Sequence, residues 1–152
     1  MTKIGQRVQV VVAAQVDTAA VTAVAAAGIN VDMIVQNIAK DDTTDFTFTV
    51  NRKNTLAVCR EIIRRKLPVT WQAISRVDMV DEEVLLWMRK AGCIQISYGV
   101  ESANSDVRRY LDKRIRLQDV KAAFAATRRC GILPRAYFIY GCPGESWETI
   151  EE

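Results

Sequence analysis

The fold is decided by a short stretch, residues 93–102, which reads CIQISYGVES. From Cys93 to Val100 it is mostly apolar, β-branched or aromatic, a composition typical of a buried strand. A helical pattern over Asp81 to Ala91 precedes it and stops at Gly92, a residue type that often follows the last turn of a helix. The stretch therefore predicts a strand that a helix leads into.

The same alternation continues on both sides of this strand. Upstream, a helix over Thr55 to Lys66 leads into a strand over Val69 to Ser75. Downstream, two short helical stretches between Ser105 and Cys130 lead into a strand over Ala136 to Tyr140, and a last helix opens at Ser146. Strands that alternate with helices of this length pair in parallel through crossover connections.

The first third of the chain has a different rhythm. A Val-rich strand over Arg7 to Ala13 precedes an Ala-rich helix from Asp17 to Gly28, and strands follow over Asn30 to Ala39 and Asp45 to Val50. With the next helix and strand, the order becomes βαββαβ, that of a ferredoxin-like sandwich. We therefore expect an α/β fold in which a ferredoxin-like start continues into βα units of a partial barrel. The two parts should merge into one sheet within a single composite domain, residues 1–152.

Composition excludes several functions. The net charge of +3 comes from interspersed charges, so no nucleic-acid partner is expected. No apolar run approaches the ~20 residues that span a bilayer, and no signal peptide is recognisable, so we expect no membrane partner and, by default, a cytoplasmic setting. The chain has no histidine, which removes the usual general base and the Ser/His and Cys/His nucleophile pairs.

The four cysteines, Cys59, Cys93, Cys130 and Cys142, contain no Cys-x-x-Cys pair. Metal and cluster sites depend on closely spaced thiolates, so this spacing predicts buried thiols and no metal site.

Residues 28–37 read GINVDMIVQN and residues 44–50 read TDFTFTV. Together they resemble the regulatory ACT domain of aspartokinases, whose paired units hold an effector amino acid. The resemblance implies that Gln36 and Asn37 are remnants of an effector site. The family's Pro-Asp-x-Pro-Gly loop is replaced here by VVAAQVD at residues 11–17, which has no proline or glycine to shape a turn.

Four later stretches, at residues 71–78, 86–92, 96–102 and 138–145, resemble successive strands of radical S-adenosylmethionine enzymes of the type found beside cobalamin-binding domains. The motifs are Trp-x-x-x-x-Arg, Gly-x-Glu-Ser and Gly-x-Pro-Gly-Glu. The resemblance implies that Glu101, Ser102, Ile139 and Gly141 cradle the cofactor, with Arg76 a further candidate. A carboxylate accepts hydrogen bonds from ribose hydroxyls or an ammonium group, and glycine lets a flat adenine approach the backbone.

The family's Cys-x-x-x-Cys-x-x-Cys motif, which holds an iron–sulfur cluster, is absent from the sequence. Two unrelated resemblances also meet near residue 53. From these observations we predict an artificial or recombined chimera, ACT-like over residues 1–53 and radical-SAM-like over residues 54–152. It would have no catalytic activity, cofactor or specific small-molecule partner.

Two alternatives stay open. The chain could be a binding module that keeps part of a parental site, for an amino-acid effector or for an S-adenosylmethionine-like ligand. It could also be a natural but truncated enzyme fragment. In either case we expect self-association, because ACT domains pair side by side and an interrupted barrel leaves a free sheet edge.

Overall fold

The computed structural model describes the backbone of residues 8–14, 34–38, 44–112 and 115–151, and side chains from residue 51 onwards. The strands are β1 Val8–Ala14, β2 Ile34–Ile38, β3 Thr44–Val50, β4 Trp71–Ser75, β5 Cys93–Glu101 and β6 Leu133–Phe138. The helices are α1 Arg52–Arg64, α2 Glu82–Lys90, α3 Ser105–Tyr110, α4 Leu117–Arg129 and α5 Trp147–Ile150, with a 3-10 turn at Val77–Met79.

All six strands belong to one sheet in the order β2-β3-β1-β4-β5-β6. The pairs β2–β3, β3–β1 and β1–β4 are antiparallel, whereas β4–β5 and β5–β6 are parallel. The prediction of an α/β fold with parallel βα units is confirmed. The helix predicted from Asp17 to Gly28 lies outside the described residues, as do both ends of the strand predicted over Asn30 to Ala39.

Of the element boundaries that differ from the predictions, two have a clear local reason. Helix α1 begins at Arg52, before the predicted Thr55, because the Asn51 side chain accepts the Asn54 N–H at 3.0 Å and caps the first turn. Strand β6 covers Leu133–Phe138 and not Ala136 to Tyr140, because its pairing with β5 already begins at Leu133. Tyr140 therefore lies in a loop beyond the strand.

The helices bury one face of the parallel half of the sheet. Helix α1 packs against α2, and α4 packs against both α2 and the 3-10 turn. The largest fully buried side chains include Trp71, Tyr98, Leu85, Met88 and Ile96. Each such side chain contributes roughly 1.5–3 kcal/mol by leaving water, so this layer supplies much of the stability.

Polar groups inside this layer are satisfied by specific partners. The Trp71 indole donates to the Ala91 carbonyl at 2.8 Å. Thr127 donates its only hydroxyl proton to the Ala123 carbonyl, so its oxygen accepts from the Tyr98 hydroxyl at 2.7 Å. Burial raises the pKa of Tyr98 to about 12, which keeps this hydroxyl a donor throughout the physiological range.

Gly92 connects α2 to β5 where no other residue fits. Its φ is +93°, and a Cβ there would lie 2.1 Å from the Val69 carbonyl oxygen. Its own carbonyl accepts from the Trp71 N–H at 3.1 Å, which aligns the starts of β4 and β5. The glycine is therefore needed for both its conformation and the close backbone approach.

We expect Gly92→Ala to lower the free energy of unfolding by about 3 kcal/mol or more, since it combines backbone strain with a clash against backbone. Gly131→Ala is the matched control. Its φ is also positive, at +75°, but the nearest atom to a new Cβ is a flexible Arg89 side-chain nitrogen 3.4 Å away. The control should lose only about 1 kcal/mol. Urea unfolding of both variants checks this, and equal losses would contradict the role given to the Val69 carbonyl.

Candidate functional site

The candidate site lies where β5 and β6 end. Their register shifts between Gly99 and Glu101, which is a β-bulge at the last residue of β5. Glu101 has a φ of +70°, a conformation that costs a residue with a side chain roughly 1–2 kcal/mol. Its carbonyl accepts the Ile139 N–H at 2.9 Å, which ties the two strand ends together. Bulges of this kind redirect side chains beside functional sites.

A cavity of about 210 Å³ opens at this bulge. The predicted residues Glu101, Ser102 and Ile139 all line it. Glu101 and Ser102 are only 8% and 5% exposed, so a carboxylate and a hydroxyl lie in a largely desolvated wall. The other lining residues are Ala103, Phe138, Tyr140, Glu145, Thr149 and Ile150.

The loop after β6 is shaped by its own glutamate. The Glu145 carboxylate accepts the backbone N–H groups of Gly141 and Cys142, at 2.5 and 2.8 Å. Gly141 and Gly144 both have positive φ angles, +85° and +87°. Gly141 does not line the cavity, and a Cβ added to it would meet nothing within 4 Å. Its requirement is therefore the turn conformation and not a close contact.

Arg108 holds the cavity wall from behind. This α3 side chain is 7% exposed, and its Nη1 donates to the Ser102 carbonyl at 2.8 Å and also to the Ala103 carbonyl. Sequence alone does not single out this residue, because adjacent Arg108 and Arg109 resemble a solvated helix face. Only Arg109 behaves in that way, exposed and paired with Asp106 at 2.9 Å.

The other predicted residues lie elsewhere. Arg76 is half exposed, forms a two-bond pair with Asp78 at 2.9 and 2.8 Å, and does not line the cavity. Gln36 and Asn37 are described by backbone only. They lie in β2 and pair with Phe46 and Asp45 of β3, and β2 is the edge strand opposite β6. The structure therefore does not bring them near Glu101.

A larger cavity of about 560 Å³ is lined in part by Arg108. Arg109 and Arg116 line it, and each is exposed and already paired with an aspartate of its own helix or helix start. None of the predicted site residues reaches this cavity. We therefore regard it as a solvated groove and the smaller cavity as the site.

The four cysteines differ in burial. Cys59, Cys93 and Cys130 are buried, which confirms the prediction for these three, whereas Cys142 is only half-buried. Burial raises the pKa of Cys59 and of Cys93 to about 12. Over the part of the chain that the structure describes, no three His, Cys, Asp or Glu side chains gather as metal ligands.

We expect one thiol per folded chain to react rapidly with a water-soluble disulfide reagent near pH ~8, because buried thiols are protonated and shielded. That thiol is Cys142, so Cys142→Ser should abolish the fast phase, and unfolding in denaturant should release the remaining thiols. Absorbance during the reaction measures this. Any fast-reacting thiol in the folded Cys142→Ser variant would contradict the burial of the other three.

Comparison with known proteins identifies the family. The model of the radical SAM superfamily matches residues 19–152, which is most of the chain. The chain belongs to the radical SAM superfamily. Among curated relatives, an uncharacterised methyltransferase of Pyrococcus horikoshii is 32% identical over 107 residues, 70% of this chain and 23% of the relative. An anaerobic magnesium-protoporphyrin IX monomethyl ester cyclase of Rubrivivax gelatinosus is 36% identical over 106 residues, 68% of this chain and 19% of the relative.

Solved structures give the same fold. Coproporphyrinogen III oxidase from Escherichia coli, a radical SAM enzyme, superposes with a TM-score of 0.57 at 19% identity, over 67% of this chain and 24% of its own. The radical S-adenosylmethionine methyltransferase TsrM from Kitasatospora setae gives 0.55 at 21% identity, over 64% and 21%. The present chain thus covers about a fifth to a quarter of the length of each of these relatives.

A shorter likeness is to an aspartokinase of Pseudomonas aeruginosa, 64% identical over 33 residues, which is 22% of this chain and 8% of the relative. The aspartokinase resemblance is therefore found for a segment, but an ACT domain is not identified. The radical SAM match begins at residue 19 and runs across residue 53, where the sequence analysis drew its boundary.

These findings correct the functional prediction. The expectation of a catalytically inactive, artificial or recombined chimera is wrong, because the match runs through most of the chain and the relatives carry enzyme names. The expectation that the chain is not an enzyme is overturned by the same match. The prediction of an inactive chimera rests on the missing cluster motif and neglects the strand-end motifs that resemble the family. In the described ranges from residue 8 to 151, no helix has the length and apolarity needed to cross a membrane.

Proposed function

We propose that this chain contributes to a radical SAM enzyme by binding the adenosyl part of S-adenosylmethionine in the cavity between the ends of β5 and β6. The observation that carries the proposal is the buried Glu101 carboxylate, which lines that cavity at a strained bulge. Strained residues cluster at ligand sites, where the surrounding structure maintains them. The prediction of no specific small-molecule partner conflicts with the chain's membership of the radical SAM superfamily.

The cavity suits part of the ligand. At about 210 Å³ it is smaller than the roughly 300–1,000 Å³ of sites that enclose a whole drug-sized molecule. Phe138, Ile139 and Ile150 offer apolar surface for a purine ring, and Glu101 can accept hydrogen bonds from ribose hydroxyls or an ammonium group. One structurally similar methyltransferase, TsrM, was solved with an S-adenosylmethionine analogue bound.

The residues present do not fit the iron–sulfur cluster that the family also uses. Cys59 and Cys93 are fully buried, and the described side chains include no three-ligand group. Bound S-adenosylmethionine would supply a carbon activated by its sulfonium. This chain's part is to hold the nucleoside, exclude water from Glu101 and fix the loop through Glu145. We therefore derive no electron-transfer step for it.

We expect S-adenosylhomocysteine and S-adenosylmethionine to raise the melting temperature of the purified chain, because a ligand at 100 times its dissociation constant adds about 2.7 kcal/mol. Glu101→Gln should weaken binding about tenfold or more by removing a charged acceptor. Glu83→Gln, an exposed change on α2, should bind like the unaltered chain. Titration calorimetry measures all three proteins.

Two results would contradict the proposal. One is a sharp melt that neither ligand shifts at millimolar concentration. The other is binding by Glu101→Gln as tight as that of the unaltered chain, which would locate the ligand elsewhere.

We also propose that the first four strands form a ferredoxin-like unit and that the chain is one composite domain. The order β2-β3-β1-β4 with antiparallel neighbours, and helix α1 between β3 and β4, support this arrangement. The parallel pairing of β4 with β5 would then join this unit to the remaining strands.

A second candidate function is effector binding at Gln36 and Asn37, favoured by the 64% identity to an aspartokinase segment. We expect lysine, threonine or methionine to stabilise the chain in the same melt, and Asn37→Ala to abolish that shift. Lys53→Ala, just past β3, is the control. If none of the three amino acids shifts the melting temperature, effector binding is contradicted and the adenosyl site remains the only proposed function.

A further inference from the structure

We propose that Arg108 is a positioning residue of the adenosyl cleft, which holds the Ser102–Ala103 wall in its ligand-binding shape. The inference rests on the function proposed above. It assigns a role to a side chain that does not touch the cavity itself. Arg108 lies on α3, while the wall it contacts lies between β5 and α3.

The contacted wall is a short turn that leads into α3. Residues 102–104 belong to no helix or strand. The Ser102 N–H donates to the Val100 carbonyl at 3.0 Å, and the Asn104 N–H donates to the Ser102 hydroxyl at 3.1 Å. The Asn104 side chain caps α3 by accepting from the Asp106 and Val107 N–H groups. The guanidinium of Arg108 adds a second tie between α3 and this turn, because it binds the carbonyls of both wall residues at once.

The chemistry of the contact favours a fixed position. Arg108 is only 7% exposed, so its charge has exchanged water for these carbonyl oxygens. A guanidinium keeps its charge at any physiological pH and presents its donors in a rigid plane. A buried charge that loses its acceptors is strongly destabilised, so the carbonyls cannot swing away without a cost. The carbonyls of Ser102 and Ala103 are therefore held in place beside the cavity that these residues line.

The neighbouring arginine provides a matched comparison. Arg109 lies on the same short helix and carries the same charge, but it is exposed and its guanidinium pairs with Asp106 at 2.9 Å. Any effect of net charge or helix propensity should appear equally at both positions. An effect on the wall should appear only at Arg108.

The experiment uses the full 152-residue chain. Arg108→Met keeps the apolar stem and removes the donors, Arg108→Lys keeps the charge and part of the donor set, and Arg109→Met is the control. Calorimetry with S-adenosylhomocysteine measures affinity. Hydrogen exchange of the ligand-free proteins measures protection of the Ser102 and Asn104 amides, a local readout that general loss of stability would not reproduce.

We expect Arg108→Met to bind about tenfold or more weakly and to exchange faster at those two amides. Arg108→Lys should recover part of the affinity, and Arg109→Met should match the unaltered chain. Normal binding by Arg108→Met, or an equal loss in Arg109→Met, overturns the role of Arg108 alone. If the unaltered chain does not bind the ligand, the proposed function fails instead, and the role of Arg108 in binding fails with it.

Discussion

Parallel pairing of β4, β5 and β6 determines where the helices of the second half of the chain must lie. Parallel neighbours cannot be joined by a tight turn, so the chain must cross back over the sheet between them. Helix α2 makes one crossing, and α3 with α4 makes the next. These crossings bury one face of the sheet. They also place the carboxyl ends of all three strands on the same side of the sheet. Glu101 and Ile139 become neighbours there although they are distant in sequence.

The bulge at Glu101 gives these strand ends the cavity in which we propose the ligand site. At a regular strand end, side chains would keep alternating between the two faces of the sheet, and the Glu101 carboxylate would lie beside the backbone hydrogen bonds that pair the strands. The register shift and positive φ redirect the backbone, and the Ile139 N–H secures the new path. Strain at one residue is thus maintained by its neighbours, in the way that ligand sites commonly maintain it.

Sequence patterns predicted the strands and helices of the second half well, because their apolar periodicity and glycine stops report burial directly. Strand-end motifs also led to Glu101, Ser102 and Ile139, which share one cavity. Arg108 was not predicted, because its contacts are with the turn that precedes it and no spacing of residues in the sequence indicates them. The functional prediction was wrong because it rested on the absent thiolates, whereas the family match extends over residues 19–152 without them.

The position of Pro134 in β6 has a consequence for solution behaviour. Strand β6 ends the described sheet, and proline is tolerated in such a strand because it has no N–H to donate outward. With the charged Arg135 beside it, this half of the strand is a poor template for intermolecular β-sheet growth. The other half carries Tyr137 and Phe138, which are 50% and 47% exposed. Any colloidal instability at high concentration should therefore begin at this aromatic end.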